Sequence, residues 1–148
     1  MVDEYTVVKS IHVLAAALWV GGGFAVNIAM ILGGRSGEPQ SMLAAMRFAK
    51  FLGHYVFPLL SLITLAFGIW LTESFYEWDL LWIQLGMVGV IVPTAIGIFY
   101  LGPKAKAGIA GMESGTPPPP GRNWVPTVAR LNLLIVSAVL VLMVIRPA

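Results

Sequence analysis

Cysteine is absent from the 148 residues, which excludes disulfides, thiolate metal sites and cysteine nucleophiles. Charge is scarce as well: 11% of residues are charged against 58% hydrophobic. With a mean hydropathy of +0.86, the chain lies far from the soluble balance of about half apolar and a quarter charged. It reads as an integral membrane protein. The net charge of +2 is too small and too scattered to form a nucleic-acid surface. Paired intramembrane carboxylates for proton relay, a nucleophile motif, a phosphate-binding loop and a run of inward acids for a cation path are all missing. Met42 and Met46 are one helical turn apart, but on an amphipathic stretch where they serve better as membrane-facing residues than as copper ligands.

Long uncharged runs are plentiful. Four stand out, from Ser10 to Gly34, Phe51 to Thr72, Leu80 to Pro103 and Leu131 to Ile145. The first three exceed the roughly 20 residues needed to cross a hydrocarbon core of about 30 Å. The fourth reaches that length if Arg130 snorkels and the helix begins near Thr127, just after Pro126. The first run is too long for a signal-peptide core and follows Asp3 and Glu4 instead of basic residues, so it is expected to be retained. The expectation is an all-α, integral membrane four-helix bundle. It forms a single transmembrane domain over 1–148, with helices at about 7–33, 48–72, 80–102 and 127–146, and cytoplasmic loops at 34–47 and 103–126. Within the first loop, "PQSMLAAMRFAK" suits a short amphipathic helix at the headgroups, whereas "GIAGMESGTPPPPGRNW" reads as loop with a polyproline stretch.

Seven of the nine basic residues fall in the first and third connections: Arg35, Arg47, Lys50, Lys104, Lys106, Arg122 and Arg130. The positive-inside rule places those connections in the cytoplasm and both termini outside, as in a multi-pass protein of the bacterial inner (plasma) membrane. The acidic second connection, "ESFYEWD", is then external. Tyr5, Trp70, Tyr76, Trp78 and Trp82 mark the outer interface, and Tyr55, Tyr100 and Trp124 the inner one.

On the first helix, His12, Ala16, Trp19, Gly23 and Asn27 follow steps of four and three and share one inward face. Small residues there admit a neighbouring backbone or a flat ligand, and Asn27 is placed to bond across helices. Simple helix packing explains the same pattern. His54, Pro58, Ser61, Leu65 and Gly68 line one face of the second helix, where Pro58 leaves the His54 carbonyl without its helical donor. Gly86, Gly89, Pro93 and Gly97 form a stripe on the third.

The two histidines are the ionisable groups that stand out, because a neutral imidazole is a ready metal ligand. Haem is the candidate cofactor, with His12 and His54 as candidate metal ligands and Lys9, Trp19 and Gly23 completing the candidate binding set. Lys9 serves either as a snorkelling anchor or as partner to a propionate or anionic headgroup. For His12 the alternative is an imidazole bonded to a helix carbonyl or to Gln84; for His54 it is a solvated interfacial side chain. In antiparallel helices the two histidines fall near opposite membrane faces, roughly 12 to 18 Å apart by helix rise, which is too far to share one iron: either one histidine holds a haem with another or no axial ligand, or two haems sit at two depths, or neither binds metal.

The stretch "KSIHVLAAALWVGGGF" resembles the first helix of a bacterial superfamily that includes HemJ-type protoporphyrinogen oxidases and the CopD copper-resistance membrane domain. "RFAKFLGHYVFPLLSLITLAFGIWL" resembles the second helix of an uncharacterised branch, through Thr64, Gly68 and Trp70. The resemblance implies haem b at His12. In the HemJ type a third-helix lysine is needed too, and "LLWIQLGMVGV" has Gly86 there with no lysine in that helix. The expected role is therefore haem binding with electron transfer, not substrate transformation. The alternative is a non-catalytic accessory or structural subunit. Its partners are the lipid bilayer and, beyond it, other subunits of a membrane complex or further copies of the chain.

Overall fold

The computed structural model describes residues 3–145. Helices α1 (Glu4–Ser36), α2 (Pro39–Phe51), α3 (Phe57–Phe75), α4 (Leu81–Ile96), α5 (Gly102–Ser114) and α6 (Val125–Ile145) account for nearly all of it, and no strand occurs among the described residues. A π-helical turn, Leu52–Val56, joins α2 to α3, and another, Gly97–Leu101, joins α4 to α5. The chain therefore has four rods long and apolar enough to cross a membrane: Glu4–Ser36, Pro39–Phe75, Leu81–Ser114 and Val125–Ile145.

Local chemistry sets the ends. Asp3 caps α1 by accepting the Thr6 N–H at 2.8 Å. Gly37 then takes φ 70°, and Pro39 starts α2 in the first turn, where its missing N–H costs nothing. Gly115, at φ 68°, ends α5 with Thr116 N–H reaching back to the Gly111 carbonyl at 2.9 Å, and the proline run that follows cannot continue a helix. Hydrogen bonds from Thr6, side chain and backbone N–H, hold the Asp3 carboxyl below the usual carboxylate range. A lowered native pKa means that the cap's stabilisation is present at neutral pH and lost as pH falls through the native value. Accordingly, once corrected for intrinsic rate, exchange of the Thr6 amide should quicken below about pH 4, near the unfolded aspartate pKa. Asp3→Ala should exchange fast at every pH; a variant indistinguishable from the parent at pH 7 would rule the cap out.

Both π turns end just before a proline, Pro58 and Pro103, with Phe57 N–H bonding to the Leu52 carbonyl and Gly102 N–H to the Gly97 carbonyl. Widening the turn by one residue moves carbonyls away from the proline ring, a common accommodation in membrane helices. The two π turns pack against each other.

The helices alternate in direction. Tyr5 meets Tyr76 (hydroxyls 2.8 Å apart), and Gly22 lies against Phe57, so α1 and α3 are antiparallel. Gly86 receives Met143, Gly89 receives Val139, and Asn132 donates to the Pro93 carbonyl at 3.3 Å, so α4 and α6 are antiparallel too. Trp19, Val90 and Val136 form the buried centre, with Phe57, Leu60 and Leu65 packed around them. One end of the bundle gathers Asp3, Glu4, Glu73, Glu77 and Asp79 with Tyr5, Tyr76 and Trp82; the other carries Arg35, Arg47, Lys50, Lys104 and Lys106.

The first connection carries the short helix expected from "PQSMLAAMRFAK", whereas the third departs from the expected loop. Residues 39–51 and 102–114 are helical continuations that pack together, with Met46 over Gly108 and Arg47 paired to Glu113 at 2.8 Å. Tertiary contact overrides the glycine-rich local signal in the second of them. The second and third rods thus begin or end about nine to twelve residues outside the expected bounds, at Pro39 and Ser114 instead of 48 and 102, while α6 starts two residues before 127. The expected last residue of the fourth helix, Arg146, lies outside the described residues. The 37 residues of the second rod measure about 55 Å, some 25 Å more than the thickness of a hydrocarbon core.

Candidate functional site

His12 sits in the third turn of α1, half-buried, with its ring laid on α3. Its Nδ1 is 2.8 Å from the Thr64 carbonyl oxygen. A carbonyl only accepts, so Nδ1 carries the proton and the neutral ring keeps its lone pair on Nε2. The seat exists because residue 68 is glycine: a Cβ there would lie 3.0 Å from His12 Cε1 and 3.4 Å from Nδ1. Thr64 and Gly68 are four residues apart and share a face, so a single turn of α3 both holds the ring and makes room for it. The Thr64 hydroxyl is buried, at 4% exposure, and has no partner among the described residues.

This arrangement has the chemistry of a metal-ligating histidine, in which one ring N–H is bonded to a backbone carbonyl and the other nitrogen is left to coordinate. It also satisfies the helix-carbonyl alternative stated for His12. The Gln84 alternative is not realised, since Gln84 Nε2 donates to the Trp78 carbonyl at 3.0 Å.

The other candidate residues are placed differently. Trp19 is 6% exposed and belongs to the closed core, and the notch at Gly23 is filled by Leu133, whose Cδ1 would lie 2.8 Å from a Cβ at that position. Both pack helices; neither faces open space. Asn27 does not reach across helices but donates to the Gly23 carbonyl of its own helix at 2.9 Å, as polar side chains in apolar helices commonly do. Lys9 stands half-buried, one turn before His12, with Nζ 5.4 Å from the Tyr5 ring centroid.

His54 lies in the first π turn, exposed, with its ring edge-on to Tyr55 at 4.6 Å. It does not join the inward face of Ser61 and Gly68, because the π turn intervenes and an extra residue rotates the helical register by about 100°. His12 is bonded at Thr64, ten residues beyond His54, so the two histidines are about 15 Å apart along the bundle and cannot share one metal ion. No group of three or more His, Asp or Glu residues arranged to hold a metal occurs among the described residues.

Two shallow surface grooves open elsewhere. One, of about 450 Å³, runs between α1 and α2 beside Gly33, Ala45 and Phe48; the other, of about 250 Å³, is lined by Glu4, Val8, Phe67 and Trp70. Neither is lined by His12. The Thr64–Gly68 seat was visible in the sequence only as a four-residue spacing, and Met143, which fills the notch at Gly86, carried no signal at all. No family model, curated protein or solved structure matches the chain.

Proposed function

We propose that this protein is a membrane-embedded haem b protein with a role in electron transfer, ligating iron through Nε2 of His12. One observation carries the reading: the Nδ1–H bond to the Thr64 carbonyl fixes the tautomer and leaves Nε2 as the donor nitrogen. Haem, when bound, supplies one-electron iron chemistry. The chain supplies the oriented imidazole and the Gly68 seat that receives its ring. A single-histidine site is the form supported, because His54 lies at another depth and faces outward. α4 has no lysine, so the proposal stops at haem binding and electron handling and does not extend to protoporphyrinogen oxidation.

The orientation proposed with it sets the basic end, Arg35, Arg47, Lys50, Lys104 and Lys106, in the cytoplasm and the acidic, aromatic end outside, in a bacterial inner membrane. His12 is then near the outer face. Protein purified in mild detergent from haem-replete cells should give a Soret band and, in a reduced-minus-oxidised spectrum, an α band, at close to one haem per chain. Absence of both bands from well-folded protein would end the proposal.

A further inference from the structure

The smaller of the two surface grooves has a direction built into its walls. It lies on the seam of α1 and α3 at the acidic end of the bundle and measures about 250 Å³. On α1, Glu4 stands at its mouth and Val8 lies one turn, about 6 Å, deeper. α3 runs the opposite way, so Trp70 is its wall residue nearest the mouth, with Phe67 and Ala66 about one turn deeper. Both walls pass from polar to apolar in the same direction.

Two polar groups at the mouth are not used by the fold. Asp3 caps α1, and the Glu4 carboxylate has no hydrogen bond or ion pair among the described residues. The Trp70 ring packs on Phe75, with centroids 5.7 Å apart, but its indole N–H has no hydrogen-bond partner among the described residues. At the same end of the bundle, by contrast, Trp78 Nε1 donates to the Glu73 carboxylate at 2.8 Å. The groove therefore presents an uncommitted acceptor and an uncommitted donor above an apolar slot.

Its size selects the occupant. Sites that enclose a whole small molecule measure roughly 300 to 1,000 Å³, so this shallow groove suits a ligand that it holds in part, the rest being accommodated by the bilayer. We propose that the groove binds a phospholipid with a primary ammonium head group. The ammonium meets the Glu4 carboxylate, the Trp70 N–H donates to a phosphate or ester oxygen, and one acyl chain lies along Val8, Ala66 and Phe67. Tryptophan suits this level, with its ring in the apolar layer and its N–H at the head groups. A trimethylated head group has no N–H to donate and a glycerol head group has no cation, so Glu4 favours the primary amine over both. The inference rests on the membrane placement in the reading above and is independent of its haem.

Native mass spectrometry tests it, on protein exchanged into mixed micelles with equal amounts of ethanolamine, choline and glycerol phospholipids of identical acyl chains. The parent should retain the ethanolamine lipid about three- to fivefold over the others, the scale of one exposed ion pair. Glu4→Gln should lose that preference and keep its helical circular dichroism. Glu77→Gln removes the same charge at the same end but outside the groove, and should keep it. Trp70→Phe should lower retention of all three lipids alike, because the phosphate and esters are common to them. Equal retention of the three head groups by the parent would overturn the inference. So would a Glu4→Gln variant that keeps the preference, a Glu77→Gln variant that loses it, or a Trp70→Phe variant that retains lipid as the parent does. Parent protein that is dimeric and holds no phospholipid would also overturn it and give the groove to a second copy of the chain. None of these results touches the haem reading, which stands or falls on the absorption spectrum.

Discussion

Replacing His12 by alanine is expected to remove the haem bands completely while leaving a folded four-helix protein. The two effects separate because they have different origins. Nε2 is the proposed ligand, and its loss takes the cofactor away outright. Stability loses mainly the Nδ1–H···O=C bond to Thr64, worth about 0.5 to 1.5 kcal/mol. Gly68→Leu should reproduce the spectral loss with His12 in place. Even the first carbon of a side chain at residue 68 falls 3.0 Å from His12 Cε1, and a leucine needs the whole area the ring covers. Added imidazole should restore part of the absorbance to His12→Ala and none to a protein that never held haem there. If His12 served only to pack α1 on α3, His12→Ala would lower the melting temperature and leave the absorption spectrum of the preparation unchanged. A Soret band surviving at full strength in His12→Ala would move the ligand to another residue.

Gly89→Ala should destabilise the bundle far more than Gly86→Ala, although an added methyl overlaps a neighbour at both positions. At Gly89 it meets Cγ2 of Val139, with Val139 Cβ 3.3 Å away. Valine on a helix has essentially one χ1 rotamer and cannot swing aside, so α4 and α6 must separate. Overpacking of this kind costs about 1 to 3 kcal/mol. At Gly86 the obstacle is the terminal methyl of Met143, the free end of a flexible chain, which can turn away at little cost. Unfolding in a mixed detergent titration, followed by circular dichroism, orders the two. Equal losses, or a larger one at Gly86, would show that the α4–α6 contact is not set by these two notches.

Hydropathy and residue order were enough to give an all-helical chain with four helices long and apolar enough to cross a membrane. Three of the apolar runs are long enough by count alone to cross a bilayer, and the fourth becomes so once the helix begins before Arg130; the property depends on nothing the run touches. The depth argument is of the same kind. With antiparallel helices, a fixed rise per residue already puts His12 and His54 well apart, and the bond from His12 to Thr64 places them about 15 Å apart. Which way each side chain faces was decided elsewhere. A helical wheel carried from His54 through Pro58 to Gly68 assumes a constant turn per residue, and the π turn at Leu52–Val56 breaks that assumption, leaving Gly68 inside and His54 outside. Trp19 and Gly23 sit on the face the periodicity indicates, but Val90, Val136 and Leu133 arrive from helices far along the chain and close that face into packing. Residues 102–114 have too many glycines to announce a helix and form one against α2, where Met46 covers Gly108 and Arg47 holds Glu113. Local composition fixes what a segment is able to cross or bury. The partner that packs against it, often a hundred residues away, fixes which of its side chains are left with an unused atom, as His12 is left with Nε2.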